Sequence, residues 1–527
     1  MKFLKVSNIK LNIQQTEDDA FKKAINIAGV SFDDVIEKRI LKYSIDARKK
    51  PKIQKNYTIE LAVKRYNKTR KNVTVSDARK QYYFTPEGEE QLDNRPVVVG
   101  FGPAGMFCAY MLAKYGYKPI IVERGSKVED RIRKVNCFWE SGELDTECNV
   151  QFGEGGAGTF SDGKLNTGIK DRENRIQFVL NRFVEYGANK NILYDAKPHI
   201  GTDILIEVVK NMRCDIERMG GTFYFDTALK KIEYKNQKIK AVYLSNGMKI
   251  DTEICVLAIG HSARDTFETL YEQKIPMESK PFAVGVRVEH RQTTINKSQY
   301  GFEDNRIGAA NYKLTYKTVK GRGVYSFCMC PGGFVVDASS EKERIAVNGM
   351  SYSKRDGENA NSAIVVTITP EDFIQDGPLA GMYFQREIEK NAFIEGSGKI
   401  PVQTFLDFRE NKRTEALGEI APQIKGNFRL GNIRNVLPEF VSEAIEEGME
   451  YFGNLIEGFD ASDVVLSAPE TRTSSPIRIL RDESFQSSTK GLYPAGEGAG
   501  YAGGITSAAI DGIKVFEAIA RKYKSFD

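Results

Sequence analysis

The stretch that decides the fold is Arg95–Gly125, RPVVVGFGPAGMFCAYMLAKYGYKPIIVERG. Val97, Val98 and Val99 form a short apolar run suited to a buried strand, and it leads directly into Gly100, Gly102 and Gly105 at GxGxxG spacing. A helical pattern containing Ala109 and Ala113 continues to Gly116, and a second strand-like run from Pro119 to Val122 ends at Glu123. The first glycine allows a tight turn out of the strand. The second lets the backbone approach a pyrophosphate, and the third permits close packing of helix on strand, leaving the helix N-terminus aimed at negative charge. Glu123 is placed to accept hydrogen bonds from ribose hydroxyls. Strand, loop, helix, strand and acid in this order, within about 30 residues, specify a βαβ unit that binds a dinucleotide. NAD and FAD both satisfy that motif.

Two further regions separate them. After Gly221, TFYFDTALKKIEYKNQKIKAVYLSNGMKIDTEICVLAIG alternates like several strands, with turns at Asn236 and at Asn246-Gly247, and returns to an apolar run ending at Gly260. Near the C-terminus, GLYPAGEGAGYAGGITSAAIDGI (Gly491–Ile513) places a strand, an acid at Glu497, a glycine-rich loop and a helical pattern in succession. Between them, VQFGEGGAGTFSDGKLNTGIKDREN (Val150–Asn174) is glycine-rich around Thr159, Phe160, Ser161 and Asp162, so its backbone turns tightly or lies against a flat ligand.

The meander and the C-terminal glycine loop resemble those of the glutathione-reductase-like flavoproteins. GEGGAGTFSDGKL, PHIGTD, AIGHSARDTFETL, KPFAVGVRVEH, FCMCPGGFV, VNGMSY and the C-terminal stretch together resemble a bacterial family of uncharacterised FAD-dependent dehydrogenases over nearly the whole chain. The resemblance implies a bound FAD. It assigns cofactor contacts to Gly100, Gly102, Pro103, Ala104, Gly105, Glu123 and Arg124, to Gly158, Thr159, Phe160, Ser161 and Gly260, and to Gly496, Glu497, Gly498, Gly503, Gly504 and Ile505. In such proteins the acid at Glu497 approaches the ribityl and phosphate region, and the final helix faces the flavin ring.

The implied fold is α/β. A glutathione-reductase-like FAD-binding Rossmann domain, with a parallel sheet and a β-meander, spans residues 94–275 and 466–527. An inserted mixed-sheet α+β substrate domain spans 276–465, and a small basic α/β domain spans 1–93. The last is expected to run β-α-β-β, with a polar linker at Thr85 to Asn94. Residues 1 to 95 hold 21 Lys and Arg against 13 Asp and Glu, while the whole chain carries only +5. The excess centres on residues 38–71, a solvated basic face or, as a rival reading, a nucleic-acid surface.

Composition narrows the rest. The chain has 527 residues, 41% hydrophobic and 28% charged, and no apolar stretch of bilayer length, so a multi-domain globular protein without a membrane span is expected. The opening MKFLKVSNIKLNI alternates like a strand and lacks a signal-peptide core. Seven scattered cysteines without CxxC, and three distant histidines, predict a cytoplasmic protein with no zinc site.

A flavin carries its own redox chemistry, so catalytic side chains need not be conspicuous. The candidates are His261 at a strand end, Cys328 and Cys330 on one face if their segment is a strand, and Arg472, which with Arg478 in TRTSSPIR suits an anionic substrate or the flavin pyrimidine edge. His199 reads as a loop residue near a helix start and His290 as exposed. No second GxGxxG offers a separate nicotinamide site, so NAD(P)H, if used, would visit the substrate face. The expected activity is hydride transfer between FAD and a small molecule. The rivals are a flavin-dependent RNA-modifying enzyme and a flavin-binding protein without turnover.

Overall fold

The computed structural model describes residues 1–304 and 306–526. Its centre is a five-stranded parallel sheet in the order Leu492–Pro494, Cys255–Leu257, Val97–Val99, Ile120–Val122, Thr222–Tyr224. The strands are three residues long and almost wholly apolar because both faces of the sheet are covered. Alternation decides what each side chain meets. Val98, Ile121, Val256 and Tyr493 join a core built with the helices Pro103–Lys114, Arg175–Glu185, Thr202–Arg218 and Ile505–Ala520. Val97, Val99, Val122, Cys255, Leu257 and Leu492 face the opposite side, where the meander strands Leu229–Lys235, Lys238–Leu244 and Lys249–Asp251 pack. The meander turns where expected: Asn236 and Gln237 both have positive φ, as does Gly247. Thr222–Tyr224, read with the meander from sequence, instead completes the parallel sheet.

The inserted region forms a seven-stranded mixed sheet centred on Phe282–Arg291, flanked by Asn359–Ile368 and Val465–Glu470. Its even-numbered side chains Val284, Val286 and Val288 pack in one core with Val441, Ile445, Met449 and Phe452 of the helix Glu439–Gly453. The sheet reaches Glu470, past the boundary expected at 465. Met277–Ser279 then pairs antiparallel with Ile477–Ile479, so the outgoing and returning chains cross between the two sheets side by side. His290 corrects the reading from alternation: it is buried, its Nε2 lies 2.8 Å from the Phe459 carbonyl, and burial lowers it to about 4. A central strand covered on both faces has no exposed side to alternate toward.

The N-terminal domain is a four-stranded antiparallel sheet in the order Val35–Asp46, Gln54–Val63, Lys2–Asn12, Val73–Ser76. The helix Glu17–Ala28 packs on it, opened by a capping box from Thr16 to Asp19 and closed by Gly29 in the left-handed region. The fourth strand was not anticipated. The basic run is partly neutralised, since Arg39 bonds Glu60, Lys38 faces Asp18 and Arg48 bonds Asp46. The expected linker packs against the C-terminal segment: the backbone N–H groups of Glu89 and Glu90 both donate to the Lys522 carbonyl. Among the described residues no helix is long and apolar enough to cross a membrane.

Candidate functional site: a cavity between two helix N-termini and the inserted sheet

The chain leaves Val99 through Gly100, whose φ of +94° is foreign to other residues and where an added Cβ would lie 2.3 Å from the Ala258 carbonyl oxygen. Gly102 caps the helix Pro103–Lys114 and Pro103 occupies its first turn, so the free amides there point outward. The C-terminal half-motif repeats the arrangement, with Gly504 capping Ile505–Ala520. The two helices pack so closely that a Cβ on Gly512 would sit 2.0 Å from the Ala104 carbonyl oxygen. Both N-termini therefore open on one cavity of about 850 Å³, which continues beneath the inserted sheet.

Glu123 lines this cavity, and its carboxylate already accepts three backbone N–H groups: Phe101 at 2.7 Å on one oxygen, and Gly125 and Gly153 at 3.0 Å on the other. It thus ties the second strand to both glycine loops, with acceptor capacity left for a ribose. The loop around Gly153 is held by Arg131, a fully buried residue the sequence reading missed. Its guanidinium donates to the carbonyls of Asn149, Val150, Gly153, Glu154 and Gly156. Nothing near Arg131 in sequence marks it, because its partners are backbone atoms some 20 positions on; burial lowers its pKa to about 10.

Most of the expected cofactor set borders the cavity: Gly100, Gly102, Pro103, Ala104, Glu123, Arg124, Gly158, Ser161, Gly260, Gly496, Glu497, Gly503, Gly504 and Ile505. Four lie behind it. A Cβ on Gly105 would meet the Gly100 carbonyl oxygen at 1.9 Å and one on Gly498 the Gly260 carbonyl oxygen at 2.5 Å, so both serve close backbone packing. Phe160 stands edge-on to Trp139 in a separate apolar cluster. Thr159 is buried beside Gly155. Arg124 also pairs with Asp265 at 2.7 Å.

Of the proposed catalytic residues, His261 faces Glu497 at 3.2 Å through Nδ1, while its Nε2 is buried with no hydrogen-bond partner among the described residues. Cys328 and Cys330 both border the cavity, but not by regular strand alternation. A bulge between Phe327 and Cys330, with Cys328 at φ +42°, breaks the strand's alternation. Cys330 is buried against Arg287, and Cys328 opens on the cavity deep in the protein, where the surrounding chain pushes its thiol up to about 12. Arg472 borders the cavity but is committed: it bonds Glu389, which also receives Arg264 at 2.7 and 2.9 Å. Arg478 lies outside, near Glu278. His199 bonds the Ser353 carbonyl rather than capping the helix that starts at Thr202.

Two acids at the inserted-sheet end were not anticipated. Glu470 borders the cavity and is pushed up to about 7 by burial, against the pull of Arg287 at 3.4 Å. Asp162 is held below the usual carboxylate range, because Lys164, Arg355 and Ser351 overcome the effect of its burial. Among the described residues no group of three or more His, Cys, Asp or Glu is placed to hold a metal ion.

The donor set fits FAD. Two N-terminal amide clusters face one space, Gly260 and Gly503 have nothing within 4 Å of a would-be Cβ, and His261 Nε2 awaits a partner. The family comparison agrees. Residues 281–473 match the family model of the FAD-dependent protein, C-terminal domain-like, and residues 3–62 match a domain of unknown function. An uncharacterised protein of Clostridium beijerinckii is 47% identical over 530 residues, covering 99% of each chain. Among solved structures, L-proline dehydrogenase from P. horikoshii is similar at 14% identity and TM-score 0.36, covering 82% of this chain and 94% of that one. Glycine oxidase from Bacillus cereus is similar at 13% identity and TM-score 0.32, covering 81% and 94%. The chain belongs, with its Clostridium beijerinckii relative, to the family of FAD-dependent proteins, and FAD is its cofactor.

Proposed function

We propose that the protein is an FAD-dependent oxidoreductase of glutathione-reductase-like architecture, exchanging a hydride with a small molecule held beneath the inserted sheet. The observation that carries this reading is the continuity of one cavity from the paired helix N-termini to the wall formed by Phe327, Cys328 and Glu470. The nucleotide half has the chemistry for a pyrophosphate, and the far half leaves room for a second molecule against it. Bound FAD supplies the hydride and electron transfer.

The chain's own residues bind and orient. The amides at the start of Pro103–Lys114 would hold phosphate oxygens, Glu123 the ribose hydroxyls, and Glu497, His261 and Gly503 to Ile505 the remaining polar edge. Glu470 is the group suited to hold or release a proton in the far half, since it stands at the cavity wall where burial pushes its carboxyl up against the pull of Arg287. Nicotinamide, if it is the partner, enters at this same half.

The test is direct. Purified protein should be yellow, with a flavin band near roughly 450 nm, and anaerobic addition of NADH or NADPH should bleach it if nicotinamide is the reductant. A protein that takes up no FAD would sink the proposal.

A further inference from the structure

The far half of the cavity is unevenly charged. Lys164, Lys197, Lys313 and Arg355 border it, and Asp162 is the acid among them. Arg355 spends its fork on Asp162, bonding it through both Nε and Nη2, so it offers little to a ligand. Lys164 lies 3.5 Å from the same carboxylate and donates to the Met329 carbonyl. Lys197 donates only to the neutral Asn311 side chain, with Asp195 offsetting its charge in part from behind. Lys313 has no hydrogen-bond or ion-pair partner among the described residues. Glu470 and Arg472 do not rebalance this, being paired with Arg287 and Glu389. Lys197 and Lys313 are exposed where they border the cavity, and ammonium groups gathered there without matching acids attract an anion.

The position of Lys197 is set from an unexpected direction. The edge strand Val35–Asp46 of the N-terminal domain joins the segment just before it: Tyr43 N–H donates to the Tyr194 carbonyl at 2.7 Å, and Ala196 N–H to the Tyr43 carbonyl at 2.8 Å. The same domain reaches the inserted region, where Lys50 bonds the Ser298 carbonyl. It thereby holds the segment that brings Ala196 and Lys197 to the cavity.

Resting on the oxidoreductase reading above, we propose that Lys197 and Lys313, backed by Lys164, form a subsite for the anionic group of a small organic substrate, with the N-terminal domain positioning Lys197. The ammonium groups are point charges, compatible with a carboxylate or a phosphate monoester.

The test titrates the FAD-loaded protein with acetate, succinate, phenylacetate, inorganic phosphate and phenyl phosphate, and with acetamide, succinamide and phenylacetamide as neutral counterparts, following the flavin spectrum. At least one anion should perturb the spectrum saturably, more weakly as salt rises, while its neutral counterpart does not. Carboxylate and phosphate probes distinguish the two chemistries. Lys197→Gln and Lys313→Gln should each weaken that binding by about fivefold or more, while Lys190→Gln on the outer surface leaves it unchanged. Equal response to anions and amides, silence toward every anion, or unchanged binding in both cavity variants would overturn the subsite while a yellow protein leaves the oxidoreductase reading standing. Failure to take up FAD would overturn both.

Discussion

At the scale of single residues, glycines of one motif do different jobs, and their substitution separates binding from folding. At Gly102 a Cβ would have its nearest neighbour at 3.7 Å, from Gly156, an ordinary contact, whereas at Gly105 it would strike the Gly100 carbonyl oxygen at 1.9 Å. Gly102→Ala is expected to keep its urea unfolding midpoint in the apoprotein and to retain at least about tenfold less FAD, because the methyl takes the space a pyrophosphate needs. Gly105→Ala should lose about 1–3 kcal/mol of stability. Flavin absorbance beside unfolding curves reads both. Glu289 gives a pH dependence. Burial raises its carboxyl to about 7, only partly offset by the Gln423 amide, Asn359 and Arg287. A raised folded-state value means its stabilising contribution is complete below the unfolded pKa near 4.5 and is lost as pH rises through 7. Glu289→Gln should therefore lose less stability than the parent between pH 5 and pH 8, by on the order of 1–3 kcal/mol, in urea titrations at the two pH values.

At the scale of elements, the crossing of Pro103–Lys114 with Ile505–Ala520 joins the two halves of the nucleotide domain. Small residues make the approach possible: Gly512 lies over the Ala104 carbonyl, and a Cβ at Gly496 would come within 2.7 Å of the Ala104 Cβ. The glycine loop between them is tied to the last helix by Asp511, which accepts the Gly496 N–H at 2.7 Å and a two-pronged bond from Arg481. Gly512→Val should push the helices apart and cost about 1–3 kcal/mol. Since both N-termini form the cofactor end of the cavity, flavin retention on gel filtration should fall with it.

At the scale of the whole molecule, the nucleotide domain and the inserted domain meet at a buried ionic cluster. Glu389, on the helix Ala380–Gly396, receives Arg264 from beyond the parallel sheet and Arg472 from the returning crossover, and Thr471 donates to it at 2.6 Å. Burial opposes its charge, but the two guanidiniums overcome this and hold its carboxyl far below the usual range. Removing it would leave two buried cations facing one another. Glu389→Ala should cost about 3–5 kcal/mol in thermal or urea unfolding, with Glu389→Gln less severe because it keeps one acceptor. The N-terminal domain also joins this assembly, through Tyr43 to the nucleotide side and Lys50 to the inserted side.

The nucleotide half was legible from one dimension because its chemistry is local. A strand, three glycines, a helix and Glu123 lie within one short stretch, and the second glycine loop with its helix lies within another, so spacing alone reveals what the backbone must do there. The meander was legible from its turn residues, although the run Thr222–Tyr224 read with it belongs to the parallel sheet. The far half was not legible. Arg131 acts on carbonyls of a distant loop, Arg472 turned from a candidate anion binder into a partner of Glu389, and the bulge at Cys328 and Cys330 broke the alternation on which their pairing rested. His290, read as exposed, is enclosed because its strand is central in a sheet covered on both sides. Local geometry follows from backbone preferences written in adjacent residues; the charge of a cavity follows from which distant side chains neutralise each other. Only the folded chain brings Asp162 to Arg355, Tyr43 to Tyr194 and Lys197 to Lys313's end of the cavity, and so leaves positive charge where a substrate would lie.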